Sequence, residues 1–150
     1  MAISRTGYPV YTDGSCLNDN HGGYSFVVLT PDRKNVVRMV SGHVSNTTNN
    51  AMELMAIQQA LIKIPTNHLV IHTDSQYSID AVTKYYKAWQ KNGWVNSFAQ
   101  PVKNRDLIES IVELSKHKTI EYVKVKGHSG DPYNTVCDYL AKSAATTRGK

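Results

Sequence analysis

Four carboxylates and one histidine stand where this chain could do chemistry. Asp13 closes the apolar, β-forming run Val10-Tyr11-Thr12 and is followed at once by Gly14. Such a carboxylate lies near the rim of a sheet, where side chains and a ligand can converge, and glycine permits a tight turn or close backbone approach. Asp74 repeats the arrangement. The run Leu69-Val70-Ile71-His72-Thr73 ends in the same Thr-Asp pair and leads into a helical segment. Ligands favour the carboxyl ends of such strands. Glu53 falls in the first turn of a helical segment, one turn before Ile57, and Asp138 sits in another, between Val136 and Leu140. His128 lies in a glycine-flanked loop and titrates near neutral pH, which suits proton shuttling. Each residue also has a plainer use. Asp13 can start a turn. Glu53, three residues after Asn50, can complete a capping box. Asp74 or Ser75 can cap a helix, and a carboxylate inside a helix usually faces water. The recurrence of Thr-Asp at two strand ends favours a shared site. His21, His43, His68, His72 and His117 show no metal-ligand spacing.

A different chemistry belongs to residues 81–105, which contain no acid but hold Lys84, Lys87, Lys91, Lys103 and Arg105. The first three recur at i, i+3 and i+7 and share a helical face. Tyr85 and Trp89, four apart, share another; Asn92-Gly93 ends the helix and Trp94 follows. A basic stripe with interleaved aromatics fits a nucleic-acid backbone and its sugar edges. The net charge of +5, from 17 Lys and Arg against 12 Asp and Glu, suits an acidic polymer as partner. The plainer alternative is a solvated lysine face over a packed aromatic patch.

The elements that must position these groups can be read in order. The 150 residues, 41% hydrophobic, make one domain with room for a core. Alternation over Tyr8, Val10 and Thr12 predicts a first strand. Strands at 24–30 and 36–44, joined by the Pro31-Asp32 turn, complete an antiparallel meander. A helix over 50–64 follows, with Asn50 as cap, the buried stripe Leu54, Ile57, Leu61 and Ile64, and Pro65 as its stop. The strand ending at Asp74 is flanked by helical segments, so it should run parallel to a neighbour. A helix over 105–117 with Asn104 as cap, a strand over 120–125, and a last helix from Asp131-Pro132 to 145 complete the fold. The last helix should bury Val136, Leu140, Ala141 and Ala144, leaving 146–150 as a frayed tail. Cys16 and Cys137 make no disulfide framework, which points to a reducing cytoplasm. No run approaches a membrane span, and the N-terminus lacks an apolar signal core.

Several blocks together resemble the cellular type 1 ribonuclease H family, in matching order and over almost the whole chain. They are Thr12-Asp13-Gly14-Ser15-Cys16, Gly22-Gly23-Tyr24, Thr47-Thr48-Asn49-Asn50-Ala51-Met52-Glu53-Leu54, Thr73-Asp74-Ser75-Gln76-Tyr77, Val125-Lys126-Gly127-His128-Ser129-Gly130 and Cys137-Asp138-Tyr139-Leu140-Ala141. Trp89 to Trp94 with Pro101-Val102-Lys103-Asn104 is similar to the basic protrusion, or handle, of bacterial members. The resemblance implies an α/β, ribonuclease H-like fold: a mixed five-stranded sheet, three antiparallel strands then parallel additions, flanked by helices. It implies endonucleolytic cleavage of the RNA strand of RNA–DNA hybrids, leaving a 5′-phosphate and a 3′-hydroxyl. Asp13, Glu53, Asp74 and Asp138 would hold two Mg²⁺ ions, with Mn²⁺ as a substitute and Asp13 bridging. His128 would assist product departure or proton transfer. Cys16, Asn49, Asn50 and Gln76 would contact the hybrid near the cut. Thr48 and Asn104 would grip a DNA phosphate, and the handle's Tyr85, Trp89 and Trp94 would lie along the DNA strand. The expected state is a cytoplasmic monomer. Thr135 stands where several bacterial members carry an acid, and the loop 17–21 lacks the Gly-Pro richness common there.

The implied ligand set is chemically consistent. Four carboxylates sharing a small site need cations, since mutual repulsion would otherwise protonate some of them. Oxygen-only ligands suit Mg²⁺ or Mn²⁺. Two rivals remain at this level. A DNA-cutting or strand-joining enzyme of the same fold should carry a different acid spacing and extra domains. A non-catalytic hybrid-binding module should not need all four acids.

Overall fold

The computed structural model describes residues 7–126 and 131–149. Strands β1 (Tyr8–Cys16), β2 (Gly22–Leu29) and β3 (Val36–Val44) form the antiparallel meander, with β4 (His68–Thr73) and β5 (Thr119–Lys124) added on the other side of β1. The order is β3-β2-β1-β4-β5, and both the β1–β4 and β4–β5 pairs are parallel. The mixed sheet is therefore the one expected. The helices are α1 (Asn49–Lys63), α2 (Gln76–Asp80), α3 (Tyr86–Asn92), α4 (Arg105–Ser115) and α5 (Pro132–Thr147). Between α2 and α3 lies a π turn, Ala81–Tyr85, in which the Tyr86 N–H reaches back to the Ala81 carbonyl.

Strand alternation divides the core between the two faces of the sheet. Val10, Phe26 and Val28 pack with Leu54, Ile57 and Leu61 of α1 and with Ile108 and Ile111 of α4. Tyr11, Val27 and Leu29 pack on the opposite side with Cys137 of α5. The buried residues of α5 are Asn134, Cys137, Ala141, Ala144 and Ala145, whereas Val136 is 38% exposed. The expected stripe was thus displaced by one residue. Small side chains win because α5 lies almost flush on the sheet. A Cβ placed on Gly23 of β2 would stand 2.1 Å from the Ala141 carbonyl oxygen and 2.7 Å from the Ala145 nitrogen. Only glycine lets strand and helix backbones approach so closely. Helix α5 also continues through Thr147, so the tail is shorter than expected.

Two caps differ from expectation in ways that matter for the site. Thr48, not Asn50, caps α1, its hydroxyl accepting from the Ala51 N–H at 3.1 Å. Glu53 is therefore the fifth helical residue and takes no part in capping. Ser75 caps α2 by accepting from the Ser78 N–H at 3.1 Å, which leaves the Asp74 carboxylate uncommitted to a cap. Asn104 occupies the cap position of α4 in a left-handed conformation without a side-chain cap bond. Its amide instead donates to the Tyr77 hydroxyl at 3.2 Å. Asp131 caps α5 as expected, accepting from the Tyr133 and Asn134 N–H groups.

Candidate active site

The site is built where two parallel strands part. Strand β1 pairs with β4 from Tyr8↔Leu69 to Tyr11↔His72. The next two residues on each strand are Thr12-Asp13 and Thr73-Asp74, so both Thr-Asp pairs leave the ladder side by side. The third carboxylate arrives through Gly14. A Cβ at that position would lie 2.4 Å from both the Glu53 nitrogen and the Met52 carbonyl carbon. The missing side chain lets α1 press on β1 and carries Glu53 to Asp13. Oxygens of Asp13, Glu53 and Asp74 all lie within 4.8 Å of one another. Asp138, from α5, acts on Asp13 by its charge and is ion-paired with Lys142 one helical turn on, at 3.1 Å.

Electrostatics in this cluster are adverse to the ionised state. Asp13 is 4% exposed. Burial first, then the Asp74 charge, raises its carboxyl to about 7, against a stabilising hydrogen bond from the Gly14 N–H at 2.9 Å. Burial, then the charges of Asp13 and Asp74, raises Glu53 to about 10. Glu53 Oε1 and Asp74 Oδ1 are buried with no hydrogen-bond partner. Buried acceptors are normally satisfied, and unsatisfied ones call for an explanation such as an ion. Clustered, desolvated, oxygen-only donors with orphaned atoms fit a hard divalent cation.

The substrate residues inferred from the sequence fall into two groups. Cys16 sits at the end of β1, its thiol donating to the Thr47 carbonyl at 3.4 Å. Thr48, Asn49 and Asn50 are exposed at the start of α1, and Gln76 is exposed at the start of α2, its amide donating to Asp80 at 2.9 Å. Around the corner, a groove of about 550 Å³ is lined by Thr48, Asn50, Tyr77, Trp89, Asn96 and Asn104, among others. It joins the start of α1 to the handle, so Thr48 and Asn104 share one concavity although 56 positions separate them. The sequence reading did not single out Tyr77 or Asn96.

The handle departs from a uniform basic face. Asp80, just before the acid-free stretch, lies 3.7 Å from Lys84, and the π turn breaks the regular α-helical spacing that was assumed between Lys84 and its successors. Lys87 and Lys91 are exposed on α3. Tyr85 and Trp89 are in tilted contact at 5.8 Å. Trp94 is 6% exposed and belongs to the core. It packs under Trp89 at 5.9 Å and beneath the Arg105 guanidinium at 5.2 Å, so it supports the aromatic surface from within. His128 lies outside the described residues.

The comparisons agree with this geometry. The RNase H family model matches residues 5–146. Ribonuclease H of Aeromonas salmonicida is 44% identical, covering 91% of this chain and 88% of the relative. Ribonuclease H of Treponema denticola is 37% identical, covering 90% and 94%. Among solved structures, a type 1 RNase H with the type 2 active-site motif superimposes with a TM-score of 0.81 at 29% identity, covering 93% of this chain and 72% of that one. The PFV RNase H domain gives 0.79 at 28% identity, covering 94% and 96%. With the sheet order, the neighbouring Thr-Asp pairs of β1 and β4 and these similarities in agreement, the chain belongs to the ribonuclease H family, among its cellular type 1 members.

Proposed function

We propose that Asp13, Glu53, Asp74 and Asp138 hold two divalent cations, Mg²⁺ with Mn²⁺ as a substitute, and that the site so formed cuts the RNA strand of RNA–DNA hybrids to leave 5′-phosphate and 3′-hydroxyl ends. The enzyme class follows from the family, whose relatives at 37% and 44% identity are ribonucleases H. The observation that carries the metal assignment is the pair of orphaned buried oxygens, Glu53 Oε1 and Asp74 Oδ1, within a three-carboxylate cluster. When bound, such ions activate water and stabilise the leaving oxygen of an in-line displacement at phosphorus.

The chain's own residues do the rest. Burial of Asp13 and Glu53 fixes their oxygens before substrate arrives, which lowers the reorganisation needed for reaction. The groove of Thr48 and Asn104 takes a backbone phosphate of the DNA strand, setting the register of the hybrid. Asn49, Asn50 and Gln76 present amides to the 2′-hydroxyls that distinguish RNA from DNA. Lys87, Lys91 and the Tyr85–Trp89 surface run along the DNA strand. His128 moves a proton or aids product departure.

One assay tests the reading. A labelled hybrid, a DNA duplex, an RNA duplex and single-stranded RNA are each incubated with and without Mg²⁺. Cleavage should be confined to the RNA of the hybrid and require the metal. Cleavage of the hybrid in chelator, or equal cleavage of the RNA duplex, would refute it.

A further inference from the structure

A polar network separate from the carboxylate cluster ties three elements together beside it. Tyr11 is 1% exposed on β1. Its hydroxyl donates to Asp131 Oδ2 and accepts from the Arg33 guanidinium. A phenol has one proton to give, and neither a guanidinium nor an ionised carboxylate can reverse its role, so the direction of this relay is fixed. The other Asp131 oxygen is already used, accepting from the Tyr133 N–H at 3.0 Å as cap of α5. Arg33 is held at φ 65° in the turn between β2 and β3. There its N–H donates to the Thr30 carbonyl at 2.8 Å, and Asp32 accepts from the Thr30 hydroxyl at 2.6 Å and the Lys34 N–H at 3.0 Å. The guanidinium lies 5.6 Å from the centre of the Tyr11 ring. The same ring stacks on His72 of β4 at 4.5 Å and 11°. Burial, then the bond to Asp131, raises the Tyr11 pKa, so the phenol remains a donor at neutral pH.

Spacing links this network to the site. Tyr11 and Asp13, two apart, share one face of β1, and Asp131 and Asp138, seven apart, share one side of α5. Strand and helix therefore meet at these two pairs, and the buried Cys137 thiol between them donates to the Tyr11 carbonyl at 3.4 Å. Tyr11 with Asp131 is attractive, whereas Asp13 with Asp138 is repulsive when both are ionised and no cation lies between them. The face of α5 on the sheet is made mainly of small side chains, Cys137, Ala141, Ala144 and Ala145, with Tyr133 and Leu140 packed at its margin, and the Tyr11–Asp131 bond fixes its N-terminal end.

We propose that the Arg33–Tyr11–Asp131 relay is a positioning device, which holds α5 on β1 so that Asp138 stays opposite Asp13 before cations bind. The proposal rests on Asp138 being a metal ligand, as in the functional reading. Partners outside a ligand shell typically alter metal affinity by about 10- to 100-fold when lost. A relay acting on one ligand of four belongs at the low end.

The test is Mn²⁺ titration of the intact protein without substrate, followed by the electron paramagnetic resonance signal of free Mn²⁺. Tyr11→Phe keeps the ring, its stacking and the Asp131 cap but removes the bond. It should weaken Mn²⁺ binding by about tenfold or somewhat less, raise the Mg²⁺ concentration needed for half-maximal turnover, and leave KM for hybrid unchanged. Asp131→Ala, which loses the cap of α5 as well, should be at least as impaired. Asp131→Asn, whose single oxygen can cap α5 only by turning its amide donor toward the Tyr11 hydroxyl, keeps the cap but loses the relay and should match Tyr11→Phe. Asp138→Asn is measured alongside. If that variant binds Mn²⁺ normally, the metal-ligand reading falls and the proposal with it. If Asp138→Asn weakens binding while folded Tyr11→Phe does not, the relay is a plain structural bond and the proposal alone is overturned. A folded Asp131→Asn protein that binds Mn²⁺ like wild type would also overturn it.

Discussion

Gly14 and Glu53 meet backbone to backbone: a methyl group on the glycine would stand 2.4 Å from the glutamate nitrogen. The contact brings a carboxylate on a helix to a carboxylate on a strand. Because the atoms met are main-chain atoms, no rotamer change can make room. Gly14→Ala should therefore destabilise the fold by about 1–3 kcal/mol, as overpacking does, and displace Glu53 from Asp13. The expected outcome is a lower Tm together with a loss of metal-dependent cleavage that saturating metal does not restore. A Gly14→Ala protein with wild-type Tm would show that α1 can retreat without cost.

Stability without metal should fall as pH rises. Asp13 and Glu53 are raised to about 7 and about 10 in the fold, above their ordinary values of 3.8 and 4.5. The native state therefore binds more protons than the unfolded chain between those limits, and stability declines with pH there. The contribution is whole below about pH 4 and is lost progressively as pH rises through 7 for Asp13 and onward for Glu53. Thermal melts in chelator from pH 5 to pH 9 should show a falling Tm, and Asp13→Asn should flatten the fall and raise the Tm at neutral pH while abolishing cleavage. A Tm independent of pH in chelator would contradict the cluster's electrostatics.

Metal binding should release protons, because the carboxylates must ionise to receive the cation. Calorimetric Mg²⁺ titrations at pH 7 in buffers of different ionisation enthalpy should give apparent enthalpies that differ in proportion. Equal enthalpies in all buffers would mean that the ion binds carboxylates already ionised.

The handle lysines should supply affinity and leave the chemical step alone. Each phosphate neutralised adds roughly 0.9 to the slope of log affinity against log salt, with B-DNA as the guide. Lys87→Ala with Lys91→Ala should flatten the slope by up to about 2 and raise KM with little change in kcat. Lys84→Ala should add less, since Asp80 lies 3.7 Å from its ammonium. An unchanged slope in the double variant would return these lysines to a solvated face.

Ala99 offers a stability test away from the chemistry. It sits at φ 59° in the turn of the handle, a conformation that costs an L-residue about 1–2 kcal/mol and glycine nothing comparable. Allowing for the greater freedom glycine gains on unfolding, Ala99→Gly should stabilise by up to about 1 kcal/mol. A chemical denaturation curve with an unchanged or lower midpoint would contradict this.

What the sequence disclosed, and what it hid, divides along physical lines. Asp74 at the end of β4 was legible because an apolar run and an abrupt acid are local signals; the same signal marked Asp13, but β1 runs on through it to Cys16, because β2 continues to pair with it there. The parallel placement of β4 followed from its flanking helices. The cap of α1 was misassigned because Thr47, Thr48, Asn49 and Asn50 are all good caps, and only the fold selects Thr48. The one-residue shift on α5 escaped because the pattern favours large apolar residues, whereas close packing on Gly23 favours small ones. The π turn leaves no trace in a count of charges. The Tyr11–Asp131 bond joins residues 120 positions apart, and nothing local marks it.

The glycine pair that opens β2 has a consequence for how the sequence can drift. A side chain at Gly22 would meet the Thr47 and Met52 side chains, at 2.4 and 2.7 Å. Those atoms can be trimmed, so a larger residue at 22 can be tolerated once a smaller one arises at 52. A side chain at Gly23 would meet only main-chain atoms of α5 among its nearest neighbours, and no substitution elsewhere removes a carbonyl oxygen. Position 22 is thus free to change in concert with its surroundings, while position 23 has no partner with which to change and must stay glycine for as long as α5 lies on the sheet.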